Sequence, residues 1–257
     1  MRIFQPLLLF LIAALLTAGA AGKTSESADE WARAAGHQTG ADALLLVDGR
    51  RVQPQGIEIP EPAGRAMLHE LTAGKNLRLA VDPAMRADRY GRIPAHIFTA
   101  GNPGSEIPGG EIWVQEQLLA AGLAYACPFA GRDPLMPRLL HIERDARAAK
   151  RGIWQSPLMQ PLAAGQAAAA IGRYAFIRGK VTQAAKTRDK IYLNFGADWR
   201  RDFTVMIEKP DWKNFKDMDL LGLQGRTIIA RGFLHQDNGP MLRAGDPGQI
   251  EVAGGGE

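Results

Sequence analysis

Apolar and polar positions along the chain follow two periods. Residues 43–47 (ALLLV) and 50–52 (RRV) flank Asp48-Gly49, a tight-turn dipeptide, and predict a β-hairpin. After Pro60, Met67, Leu68 and Leu71 recur at helical spacing, and Gly74 stands where that helix would end. Residues 77–81 (LRLAV) and 91–99 (GRIPAHIFT) read as strands, with Pro94 suited to an edge or a bulge. A Gly/Pro-rich loop, GNPGSEIPGG, separates them from a helix over EIWVQEQLLAAGLA, whose apolar positions are 112, 113, 118, 119 and 123 and which Gly122 closes. A third helix, PRLLHIERDARAAKRGIW, turns Leu140, Ala146 and Ile153 inward and basic residues outward. Trp154 just beyond it reads as a core plug.

The pattern changes after residue 155. The run QSPLMQPLAAGQAAAA is low in complexity, and 157–170 are expected to be a linker. From 171 to 253, alternation predicts strands at YAFIRGKV, KIYLNFG, DFTVMIE, GRTIIARGFL and PMLRA, with a short helix at DWKNFKDM. Three strands, a helix and two strands is the element order of a Greek-key barrel of the OB type. The chain as a whole therefore reads as mainly β with helices, an α+β class.

At 257 residues and 46% hydrophobic, the chain can bury one or two cores. Its formal charge of +4, from 31 basic and 27 acidic residues, is too small to indicate a generic basic coat for nucleic acid. Arg2, the apolar run 6–16 and Ala18-Gly19-Ala20 have the order of a secretory signal, giving a signal peptide at 1–22 and a periplasmic or secreted product. An uncleaved anchor is the alternative; removal of the signal would leave no stable membrane span. Residues 23–39, polar and Ala-rich, are expected to be a mobile leader. The single cysteine, Cys127, excludes an intramolecular disulfide and is expected to be a small buried hydrophobe.

The segments GADALLL, VQPQGIEIPE, DRYGRIPAHIF, WVQEQLLAAGLAY and RAAKRGIW, in that order, resemble the thermonuclease (staphylococcal nuclease-like) family. The resemblance runs over about 40–156. It implies a five-stranded OB barrel with three helices, and 171–253 is similar to a C-terminal OB-like extension found in some bacterial members. It further implies hydrolysis of DNA or RNA phosphodiester bonds with a calcium ion. By the match of motifs, Asp42, Glu58 and the carbonyl of Ile59 would hold the metal. Glu61 would be the general base, Arg92 would stabilise the phosphate, and Arg89 and Tyr90 would contact the nucleotide phosphate.

Two departures stand out. The family turn D-G-D-T is here Gly40-Ala41-Asp42-Ala43, and a catalytic arginine is replaced by Gln53. An amide supplies neutral hydrogen bonds but neither charge nor the guanidinium fork. Arg51, two residues earlier, projects from the same strand face and could reach the vacated position. Hydrolysis is thus expected to be weak or lost. The alternative is a non-catalytic nucleic-acid-binding or envelope scaffold protein on the same fold. Read without the resemblance, Asp42, Glu58 and Glu61 are also compatible with surface acids near a turn and a helix start.

Elsewhere, His69 and His141 lie on helix patterns, and His96 has no zinc partner at useful spacing. Between 178 and 203, Arg178, Lys180, Lys186, Arg188, Lys190, Arg200 and Arg201 lie close to Tyr192, Phe195, Trp199 and Phe203. That mixture suits either single-strand binding by stacking and charge or a solvated surface over an ordinary core.

Overall fold

The computed structural model describes residues 28–36, 43–83, 85–100, 110–128 and 133–253. The expected signal peptide and Asp42 lie outside the described residues. In chain order the first part contains β1 (Ala28–Arg33), β2 (Leu44–Leu45), β3 (Arg51–Pro54), β4 (Ile57–Glu58), α1 (Pro62–Thr72), β5 (Asn76–Val81), β6 (Arg92–Thr99), β7 (Ile112–Trp113), α2 (Val114–Ala120), β8 (Tyr125–Ala126) and α3 (Met136–Ala148). The second contains β9 (Leu162–Ala163), β10 (Tyr174–Lys180), β11 (Gln183–Lys186), β12 (Lys190–Asn194), β13 (Thr204–Glu208), β14 (Thr227–Asp237), β15 (Gly239–Arg243) and β16 (Ile250–Val252). The fold is α+β: a staphylococcal-nuclease-like OB unit followed by a further β unit.

The first sheet runs β1-β5-β6-β3-β2, with β7 added on β6. Its two ends meet at a single bridge, Ala34 to Leu46, flanked by the bonds Ala35 N to Leu45 O and Val47 N to Arg33 O, each 2.9 Å. β1 falls in the stretch expected to be a mobile leader. It pairs antiparallel with the whole of β5, from Arg33–Asn76 to Ala28–Val81. The strand escapes a hydrophobicity scan because Trp31 points outward, while only the small side chains of Ala32 and Ala34 face the core.

The second sheet runs β11-β12-β13-β15-β14-β10-β9, with β16 on β14. β13 and β15 are parallel; β10–β14 and β12–β13 are antiparallel. β10 and β11 are consecutive, separated only by Val181 and Thr182, so they act as one bent first strand of an OB order. Among the described residues, no ladder closes either sheet into a complete ring. The expected linker is ordered: Leu162–Ala163 adds a parallel strand to β10, and a 3-10 turn over Ala164–Ala170 buries Ala167 and Ala170 in the second core. Their three-residue spacing is that of a 3-10 helix, whose positions i and i+3 eclipse.

Each sheet covers its own core. Leu44, Val52, Leu77, Ile97 and Leu118 belong to the first, and Ile177, Leu193, Val205, Ile228 and Leu242 to the second. A third cluster joins Ala146 of α3, Ile153 and Trp154 to Phe176 and Ile229 of the second unit. Trp154 is 1% exposed and meets Phe176 edge-on at 5.6 Å. Side chains of this size contribute roughly 1.5–3 kcal/mol each when buried, which makes the junction a packed one.

Gly122 and Gly152 let two backbones cross behind α2. Gly122 has φ 69°, Gly152 has φ 50°, and Ile153 N donates to Gly122 O at 2.8 Å. A Cβ on Gly122 would collide with the Arg151 carbonyl. Gly122→Ala is therefore expected to lower stability by about 2 kcal/mol or more, from the left-handed backbone together with the collision. A shift of the denaturant midpoint worth less than half of that would contradict this account.

Candidate phosphodiester site

Strands β3 and β6 run parallel and set the register of the candidate residues. Arg51 pairs with Arg92, Val52 with Ile93, and Gln53 with Pro94. Paired positions in a ladder share a face, so Arg51, Gln53 and Arg92 project together, opposite the buried Val52. By strand spacing, the Cα atoms of Gln53 and Arg92 lie about 8 Å apart. Gln53 is half-buried and Arg51 exposed.

Arg92 is held by a turn built on Asp88. The Asp88 carboxylate accepts the Tyr90 amide at 2.8 Å, the Arg92 amide at 3.0 Å and Arg92 Nε at 2.7 Å. The Arg92 backbone amide leads these influences in holding the Asp88 carboxyl below its ordinary range, against the opposing effect of burial. Tyr90 is exposed, with the Arg89 guanidinium 4.9 Å and the Arg92 guanidinium 5.3 Å from its ring centroid. Three of the sequence-derived residues therefore form one cationic, aromatic patch.

The carboxylates stand on the segment that follows β3. After a turn at Gln55 and Gly56, β4 pairs Glu58 with Tyr125 of β8. Glu61 opens α1 with extended backbone, makes no side-chain cap bond and is exposed. Its carboxylate is therefore not consumed by the helix start. Gly64 brings α1 down onto this segment: a Cβ there would lie 2.5 Å from Ile59 Cγ2 and 2.6 Å from the Leu123 carbonyl oxygen. One turn into α1, Arg65 Nη1 donates to the Ile59 carbonyl at 3.4 Å and approaches that of Pro60 at 3.5 Å. Arg65 went unnoticed in the sequence; its position four residues after Glu61 on a helix was the available signal.

Calcium takes six to eight oxygen ligands. Of the expected set, Asp42 lies outside the described residues, and the Ile59 carbonyl already receives a guanidinium N–H. Among the described residues, no three His, Cys, Asp or Glu side chains group as a metal site. Of the expected set, the described residues therefore supply Glu58 and the Ile59 carbonyl, fewer oxygens than a calcium ion takes.

A buried polar cluster fixes β6 behind this face. Gln115 of α2 donates to the Ala95 carbonyl at 2.9 Å and accepts from Ile97 N at 3.1 Å. His96 Nε2 lies 3.0 Å from Asp133 Oδ1. Burial alone would raise the Asp133 carboxyl; the bond to His96, its charge and the Leu135 amide outweigh it and hold the group below its usual range. An ionised Asp133 accepts, so His96 Nε2 carries the proton. His96 is thus a satisfied core histidine.

In the second unit, the aromatic and basic set is divided. Phe203 is in the core, with Phe195 packed on it at 4.9 Å. Trp199 remains exposed beneath Arg200, and Lys186 covers Trp212. Among the described residues, no helix is long and apolar enough to cross a membrane.

A family model described as Staphylococcal nuclease homologue matches residues 61–156. The match takes in Glu61, Arg89, Tyr90 and Arg92, and leaves Asp42, Gln53, Glu58 and Ile59 outside it. The chain is similar to a probable staphylococcal-like nuclease, CAN2, of Oryza sativa subsp. japonica, 30% identical over 122 residues that make up 45% of this chain and 29% of the rice protein. It is also similar to an uncharacterized protein of Bacillus anthracis, 30% identical over 117 residues, 43% of this chain and 49% of the relative. The chain thus spans half or less of the length of these relatives. Over residues 61–156, this chain matches the staphylococcal nuclease homologue family.

Proposed function

We propose that this chain binds nucleic-acid phosphodiesters and hydrolyses them slowly, as a nuclease with one catalytic cation missing. The observation that carries the reading is the shared face of β3 and β6: Arg92, braced by Asp88, stands one strand from a neutral Gln53. In this reading Arg92 stabilises the charge that develops on the phosphoryl oxygens, and Glu61 takes the proton of the attacking water. Arg89 and Tyr90 hold the neighbouring phosphate. Gln53 offers only neutral donors, and Arg51, on the same face, supplies charge from further off. No step is routed through calcium, because Glu58 and the Ile59 carbonyl are the only described members of its expected donor set. Export through the amino-terminal segment, to the periplasm or beyond, belongs to the same proposal.

The test is digestion of labelled single-stranded DNA and RNA by the chain without its first 22 residues. Slow cutting is expected, falling at least about tenfold in Glu61→Ala, the lower reach of general-base effects. Cutting unaffected by Glu61→Ala would remove this reading. Excess chelator and added calcium are expected to give rates within about tenfold of each other, given the donor set available. A strict calcium requirement would instead make Asp42 a ligand. If wild type binds but never cuts, Gln53 favours the alternative of a binding or scaffold protein.

A further inference from the structure

A cleft of about 750 Å³ opens between the two units, within the range of small-ligand sites. One wall comes from the nuclease-like unit: Glu58, Tyr125, Cys127 and Pro128. The other includes Tyr174, Asp211, Phe233, His235 and Arg243. The cleft therefore includes Glu58, three residues before Glu61 in the chain.

Its chemistry is that of a stacking site. Phe233, 61% exposed on β14, lines this cleft with an open ring face. Tyr125 and Tyr174 lie 5.1 Å apart as tilted rings. Burial pushes both phenols above their ordinary range, so they stay neutral and do not repel an anion. Burial, reinforced by nearby Glu58, also pushes the Cys127 thiol up to about 12, which leaves it a neutral wall rather than a nucleophile. Arg243 is more than half exposed at the rim, bridged to Glu208 at 3.3 Å, and His235 is half-buried beside it. Glu58 and Asp211 add carboxylates to the lining, acceptors that suit the N–H groups of a base rather than a phosphate.

We propose that this cleft is a subsite for an unpaired nucleotide of a single-stranded nucleic acid, with the base against Phe233 and the tyrosines and its phosphate toward Arg243. The second unit then selects single strands for the phosphodiester site. The proposal rests on the reading of that site as one for nucleic acid, and it is tested by binding, which needs no turnover.

The experiment is fluorescence anisotropy of a labelled oligothymidylate of about eight nucleotides, within the footprint of OB-type sites, titrated with the full chain at two salt concentrations. A duplex of equal length serves as competitor. Removing one stacking ring should weaken binding roughly 5- to 100-fold, so Phe233→Ala is expected to show that loss, with an unchanged melting temperature because the ring is exposed. Arg243→Ala should weaken binding and flatten its salt dependence. Trp199→Ala, with an exposed ring outside the cleft, should bind as wild type does. Wild-type affinity in both cleft variants, loss in Trp199→Ala alone, or equal affinity for duplex would each overturn the proposal. Single-strand binding that survives while Glu61→Ala leaves digestion unchanged would remove the hydrolytic reading and leave the cleft standing.

Discussion

Gln53→Arg should raise kcat/KM for a short single-stranded oligonucleotide by at least about 100-fold. The expectation follows from charge. A guanidinium acting on a transferring phosphoryl group is worth about 10³–10⁵ in rate, or roughly 4–7 kcal/mol. An amide in its place keeps one or two neutral hydrogen bonds and loses the rest. Gln53 is half-buried on β3, on the face that carries Arg51 and Arg92, so an arginine there extends into the same space without entering the core. Two controls separate charge from shape. Gln53→Lys restores a point charge without the fork and should give a smaller gain; Gln53→Met should give none. Arg51→Gln in the wild-type background should cut the residual rate if Arg51 acts as a partial substitute, and leave it unchanged if that side chain is only solvated. A folded Gln53→Arg protein with no gain would move the defect to the Gly40-Ala41-Asp42-Ala43 turn.

Much of this site was legible because its parts are local. Asp88-Arg89-Tyr90-Gly91-Arg92 is one turn with its own hydrogen bonds, and the strand pattern of β6 then fixes where Arg92 points. The strands with apolar alternation, β5, β6, β12, β13 and β14, were legible for the same reason. What escaped depends on small or displaced side chains. β1 hides behind alanines, and Ala164–Ala170 looks like a linker because alanine buries little and repeats easily. The cleft escaped because Tyr174 and Phe233, register partners on β10 and β14, are far apart in sequence, and Tyr125 joins them only when the units dock.

The docking itself left a trace that composition concealed. On α3 the inward residues are Met136, Leu139, Glu143 and Ala146, a helical stripe that contains one carboxylate. On β14 a lone arginine, Arg231, stands within an otherwise apolar run. Each is nearly absent from the surface, 0% exposed for Glu143 and 2% for Arg231, and such charges are buried only when paired.

They are paired with each other. Arg231 Nη1 lies 2.8 Å from both Glu143 oxygens, and Glu143 Oε2 also accepts the Ala126 amide at 2.6 Å. The Arg231 Nη2 atom reaches Glu251 at 3.3 Å, and Arg147 holds Glu251 at 2.6 Å. The guanidinium also lies 5.0 Å from the Phe176 ring centroid. Arg231→Met should therefore destabilise the full chain by about 3–5 kcal/mol, because it strands the Glu143 carboxylate in the interface. The double variant Arg231→Met/Glu143→Met, which leaves neither charge, should recover most of that loss. Denaturant unfolding followed by tryptophan fluorescence is the measurement, since Trp154 lies in the same junction. A cost below about 1 kcal/mol for the single variant, or a double variant worse than the single, would deny the pair its place at the junction. Acid should weaken the same contact. Burial alone would raise the Glu251 carboxyl, but Arg147 and Arg231 hold it below its ordinary range. Its contribution is present above the unfolded carboxylate pKa and is lost as pH falls through the depressed folded value. Because Arg231 is followed directly by Gly232 and Phe233 in the cleft wall, while Ala126 adjoins Tyr125 and Cys127 across from them, Arg231→Met should also weaken oligonucleotide binding at temperatures where the chain is still folded.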